Sequence, residues 1–153
     1  MNPLFTPHST QYNPNSTLNC VENNKKFELE TNSASFVRVK IDGGVEQNTS
    51  NKKCDYLIIK EIAEDIEIFV ELKGKKIQDA YEQIIESYAN YANQNINVKH
   101  YAIIVTSHIS PNERTTLQNI KTRLSNQNIT LLSKNKIVKT KYNPTNNSIE
   151  KTN

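Results

Sequence analysis

Two apolar runs in the middle of the chain carry charged groups at their ends. Asp55 stands near the start of CDYLIIK, and Glu71-Leu72-Lys73 closes IEIFVELK. Residues two apart on a strand face the same way. Ile68, Val70 and Leu72 therefore share one face, and Phe69, Glu71 and Lys73 share the other. With the two strands side by side, Asp55 and Glu71 can point into one shallow site. Two carboxylates hold a hard divalent cation such as Mg²⁺ through oxygen, leaving coordination positions for water and substrate. An ammonium at Lys73 would then lie near that water, placed to orient it or to neutralise charge on a phosphate in transition.

A frame of regular elements must position these groups. In SFVRVKI, Val37, Val39 and Ile41 form an apolar face opposite Phe36, Arg38 and Lys40, the pattern of a half-buried strand, and Asp42-Gly43-Gly44 supplies turn chemistry after it. CDYLIIK and IEIFVELK are the second and third strands, joined by the charged connection Glu61 to Asp65. From Lys76 the period changes: Ile77, Ala80, Tyr81, Ile84, Ile85, Tyr88 and Ala92 form the stripe of an amphipathic helix. HYAIIVTS reads as a strand covered on both faces. Ser110, Pro111 and Glu113 then give the capping box of a second helix, whose buried stripe is Leu117, Ile120 and Leu124. ITLLS, extended toward KIVKTK, supplies a last strand. The expected fold is α/β, a mixed central sheet flanked by helices in the order β-β-β-α-β-α-β. Leu18 to Asn23 is a candidate for a short helix ahead of them.

The chain has 153 residues and is 35% hydrophobic, and the apolar deficit is concentrated at its ends. Residues 1–19 and 140–153 are rich in Asn, Thr, Ser and Pro and read as poorly ordered polar arms around one domain, 20–139. A net charge of +3 permits an anionic partner without demanding one. Cys20 and Cys54 lack metal spacing and read as reduced thiols. His8, His100 and His108 have no partners at zinc spacing. No leader pattern stands at the N-terminus, and no apolar run approaches the roughly 18–20 residues of a membrane span, so a cytoplasmic protein is expected. Tyr81, Tyr88, Tyr91 and Tyr101 read as core and core-rim residues.

Asp55 followed by Glu71-Leu72-Lys73, on a strand pair succeeded by helix, strand, helix and strand, resembles the PD-(D/E)XK nuclease superfamily. The resemblance covers roughly Ser33 to Ser133. It implies a restriction-endonuclease-like fold and a metal-dependent nuclease that hydrolyses phosphodiester bonds, in DNA first, with RNA left open. By it, Asp55 and Glu71 are metal ligands for Mg²⁺, with Mn²⁺ as a substitute, and Lys73 acts on the attacking water. Gln83 takes a secondary catalytic place on the following helix, where some branches carry a glutamine. Cys54 stands where the motif has proline. The acidic residue many members carry before the first strand has three candidates here, Glu22, Glu28 and Glu30. Lys52, Lys53, Lys75 and Lys76 are candidate phosphate-backbone contacts. Cutting both strands calls for two sites, hence a homodimer or a larger complex, in restriction, repair or phage defence. The alternatives are a catalytically silent member of the same fold that binds nucleic acid or protein, and a small α/β interaction domain.

Overall fold

The computed structural model describes residues 1–72 and 76–153, so Lys73 and Lys75 lie outside the described residues. The strands are β1 (Ser9–Tyr12), β2 (Thr17–Glu22), β3 (Lys25–Glu30), β4 (Phe36–Lys40), β5 (Tyr56–Lys60) and β6 (Ile66–Glu71). Helix α1 (Ile77–Tyr91), β7 (Lys99–Thr106) and α2 (Pro111–Asn126) follow, then β8 (Ile129–Asn135), β9 (Ile137–Asn143) and β10 (Ser148–Lys151). Two mixed sheets result, in the orders β1-β4-β5-β6-β7-β8 and β10-β9-β3-β2. The expected succession from β4 to β8 is present, with further strands on either side of it.

The six-stranded sheet is the middle layer. Its Val39, Leu57, Ile59, Phe69, Ala102 and Ile104 meet Ile77, Ala80 and Ile84 of α1 and Ile120 and Leu124 of α2. Its opposite face, with Phe36, Ile58, Ile68, Val70 and Ile103, meets Leu18, Cys20, Phe27, Leu29 and Val138 of the smaller sheet. The face of β4 expected to be mostly charged thus keeps Phe36 under a second sheet. Strand β6, covered from both sides, is buried at every position.

Both chain ends differ from the expected arms. Residues 1–19 supply a buried Phe5, β1 paired with β4, and the start of β2, which replaces the short helix expected over Leu18 to Asn23. Residues 140–153 supply the rest of β9 and all of β10. Several asparagines along the chain, Asn15 and Asn147 of the ends among them, have turn work to do. Asn15, Asn23, Asn24, Asn32, Asn128 and Asn147 all adopt positive φ, a region that asparagine tolerates better than most residues. Asn23 and Asn24 form the two-residue link between β2 and β3, where two consecutive positive φ values suit the twist of a hairpin. Asn147 joins the sheets: its side chain receives the Lys60 ammonium (2.9 Å) and the Tyr142 hydroxyl (3.0 Å) and donates to Asp65 (2.8 Å).

The two helices follow their sequence signals. Ser110 and Glu113 form the reciprocal capping box of α2. Helix α1 has no side-chain cap and is held by its buried stripe. At the distal edge, the Tyr101 hydroxyl accepts the Ile149 N–H at 3.1 Å, which fastens β10 to the main sheet.

The tail is thus part of the core. Ile149→Ala should destabilise the protein by about 2–4 kcal/mol, the usual cost of emptying a buried aliphatic site, as measured by urea denaturation. An unchanged midpoint would mean that β10 is not docked.

Candidate active site

The three parallel strands β6, β7 and β8 end on one rim of the main sheet, and β5 begins there. The ladder between β5 and β6 starts with Tyr56 opposite Val70. One residue further out on each strand stand Asp55 and Glu71, and both are buried, at 4% and 2% exposure. Their pairing is not regular: the Asp55 N–H bonds Val70 O rather than Glu71 O, and the two carboxylates line different hollows, Asp55 with Glu22 of β2 and Glu71 with Gln83 of α1.

Asp55 is tied on three sides. Its N–H donates to Val70 O (3.0 Å), its carbonyl accepts the Ile41 N–H (3.0 Å), and its Oδ2 accepts the Leu72 N–H (2.7 Å). The carboxylate therefore takes the place of a ladder carbonyl at the end of the strand pair. With Oδ2 so engaged, its orientation at the rim is fixed.

Helix α1 holds the segment that leads into it. Gln83 Oε1 accepts the Lys53 N–H (2.5 Å), and Ser87 Oγ accepts the Cys54 N–H (2.8 Å). Residues four apart lie on one helix face, so this single face secures two consecutive backbone donors. Gln83, to which the resemblance gives a secondary catalytic place, here holds the chain before Asp55. Ser87 had no signal beyond being a small polar residue within an apolar stripe.

Two shallow hollows adjoin at the rim. One, about 290 Å³, is lined by Asp55, Asp42, Glu22 and Lys40; the other, about 300 Å³, by Glu71, Asp42, Lys53 and Gln83. Asp42 is common to both, although its sequence context, Asp42-Gly43-Gly44, points only to a turn. It is held there by the turn after β4, where Gly43 has a φ of 77° and a side-chain carbon on Gly44 would stand 2.2 Å from Lys40 O. Of the three glutamates considered, Glu22 reaches the Asp55 hollow. Glu28 pairs instead with Lys26 at 2.9 Å, and Glu30 is exposed at the end of β3.

The lysines divide. Lys53 is buried: its ammonium donates to Asn48 O and to Asn51 O (3.2 Å) and lies 4.0 Å from Asp42. Lys52 pairs with Glu82 at 3.1 Å, and Lys76 is exposed ahead of α1. Cys54 is no nucleophile in waiting. Burial pushes its thiol well above the ordinary range, the Ser87 contact opposes that, and the charges of Glu71 and Asp55 add to it. Cys20 is raised by burial too, against the Arg38 charge. Both are free thiols.

Among the described residues, no group of three or more His, Cys, Asp or Glu side chains is arranged to hold a metal. The donors at the rim are carboxylate oxygens, the type that Mg²⁺ and Mn²⁺ take, and such ions are commonly held by one or two carboxylates plus water and substrate. Asp55 and Glu71 supply such oxygens, in adjoining hollows rather than in one. No protein-family model, curated protein or solved structure matches the chain. No helix among the described residues is long and apolar enough to cross a membrane.

The Leu72 contact separates two substitutions at Asp55. Asp55→Asn keeps a carbonyl acceptor and should leave stability within about 1 kcal/mol of wild type, whereas Asp55→Ala should cost about 1–3 kcal/mol by stranding a buried N–H. Denaturant melts in EDTA would measure both, and equal midpoints for the two variants would contradict the contact.

Proposed function

We propose that the protein is a metal-dependent nuclease of the restriction-endonuclease-like kind, acting on phosphodiester bonds in DNA. The observation that carries this reading is that Asp55 and Glu71 stand just beyond the end of the β5–β6 ladder and line adjoining hollows that share Asp42, with Asp55 fixed by the Leu72 N–H. The succession from β4 to β8, a strand pair followed by a helix, a parallel strand, a second helix and another parallel strand, supports it.

On this reading Asp55 and Glu71 hold the cation, which when bound stabilises charge developing on the phosphate and acidifies a water molecule. Gln83 and Ser87 keep the Lys53-Cys54 backbone still, so Asp55 need not reorganise when substrate arrives, and such preorganisation is where positional catalysis gains most. Lys73, two residues beyond Glu71, is the general acid–base or charge-neutralising group. Lys76 meets the phosphate backbone. Cleavage of both strands would use two copies of the site, and hence a homodimer or a larger complex.

The direct test is incubation of the pure protein with supercoiled plasmid, linear duplex, single-stranded DNA and RNA, with Mg²⁺, Mn²⁺ or EDTA. Nicking or linearisation of plasmid with either metal, and none in EDTA, is expected. Asp55→Asn should abolish both cleavage and the rise in melting temperature that a cation binding only the folded state produces. Lys73→Ala should retain that rise while cleaving roughly a hundredfold more slowly, the scale on which one positioned group acts. A wild-type protein that binds DNA but cleaves nothing with either metal would replace this reading with a silent nucleic-acid-binding one.

A further inference from the structure

A second concavity lies further along the same rim. Strand β8 is the edge of the main sheet, α2 crosses its helix-side face, and β10 approaches from the smaller sheet. Between them is a hollow of about 540 Å³. Arg114 and Lys121 from α2, Lys151 from β10 and His108 from the segment after β7 surround a partly apolar floor that includes Leu117 and Leu131. Among the described residues no carboxylate lines it. The Lys151 ammonium is fixed by donating to Ser133 O at 2.8 Å. Its surroundings are hostile to its own charge: desolvation, then the ammonium groups of Lys134 and Lys121, lower its proton affinity below the ordinary lysine range. Like charges gathered around one concavity without a counter-charge favour an anion there.

The position of the hollow gives the anion an identity. In the parallel ladder Glu71 lies beside Ile104 and Thr106 beside Asn135, so the ends of β6, β7 and β8 share one rim. Ligands of α/β sheets gather at the carboxyl ends of such strands. Glu71 ends β6, and Asn135, which lines the hollow, ends β8. Two strand spacings separate β6 from β8, roughly 10 Å. Phosphates of one strand recur about every 3.4 Å of duplex axis while the strand winds round it, so a gap of this size lies within reach of a few neighbouring nucleotides.

We propose that this hollow holds a phosphate of the same DNA strand whose scissile phosphate lies at the Asp55 and Glu71 site, an assignment that rests on the nuclease reading above. It makes α2 and β10 a part of substrate registration, at a distance from the bond that is cut.

Fluorescence anisotropy of a double-stranded oligonucleotide in EDTA, over a series of salt concentrations, tests it without any cleavage. The double substitution Lys121→Ala/Lys151→Ala should weaken binding about tenfold and reduce the slope of log affinity against log salt by about 2, as expected for two lost phosphate contacts. Lys141→Ala, an exposed position on β9, should leave both unchanged. All three positions are on the surface, and matched melting curves would confirm intact folds. Unchanged affinity in the double variant, an equal loss in Lys141→Ala, or an oligonucleotide bound no better than inorganic phosphate would each overturn the assignment. A wild type that shows the expected binding pattern yet cleaves nothing with metal would sink the nuclease reading while leaving a DNA-binding hollow in place.

Discussion

Strand β6 is shut away from water along its whole length, and two of its six residues are carboxylates. That constraint organises the molecule. A buried charge must be matched by partners or placed where it can meet them. Glu67, at the start of the strand, has its partners inside: it accepts the Asn93 N–H at 2.9 Å and contacts His100 Nε2 at 3.0 Å. Glu71, at the other end, stands at the rim beside Asp42, Lys53 and Gln83. The same strand thus carries one carboxylate used in the interior and one delivered to an opening. With helices on one face of the sheet and a second sheet on the other, the rim is where polar chemistry can occur.

Helix α1 connects packing to the site. Its apolar stripe seats Ile77, Ala80 and Ile84 on the main sheet, and the same seating brings Gln83 and Ser87 against the Lys53-Cys54 backbone. A helix that shifted along the sheet would lose core contacts and both hydrogen bonds together. The geometry of Asp55 is therefore guarded by the hydrophobic burial of a neighbouring element, in addition to its own bond from Leu72. This supporting layer lets a small protein hold a carboxylate still without a dedicated domain around it.

Much of the central frame was legible because its periodicities are strong. The stripe of α1, the capping box of α2 and the apolar runs of β5, β6 and β7 each point to one structure. The smaller sheet was hidden by composition. In β2 and β3 the buried apolar residues are Leu18 and Cys20 and then Phe27 and Leu29, separated by Asn19 and Val21 in β2 and by Glu28 in β3. Such short two-period patterns are masked when asparagine count is taken as a sign of disorder, although the asparagines here make the turns. Leu18 to Asn23 looked helical because a six-residue apolar alternation is too short to fix its period. At the site, Asp55 and Glu71 were visible by type and spacing, and Gln83 only through the family resemblance. Asp42 and Glu22 were not singled out with equal force, because what brings them to the rim is the turn after β4 and the stacking of one sheet on another. Neither leaves a local pattern in the sequence.

The account stands on one cation shared by Asp55 and Glu71. Diffraction from crystals soaked in Mn²⁺, recorded where manganese scatters anomalously, would locate it directly. A single strong anomalous peak within coordination distance of one oxygen from each carboxylate, at about 2.0–2.3 Å for a small hard cation, is the expected result, together with loss of that peak in Asp55→Asn crystals. A peak elsewhere on the molecule, or none at the rim at a saturating Mn²⁺ concentration, would contradict it.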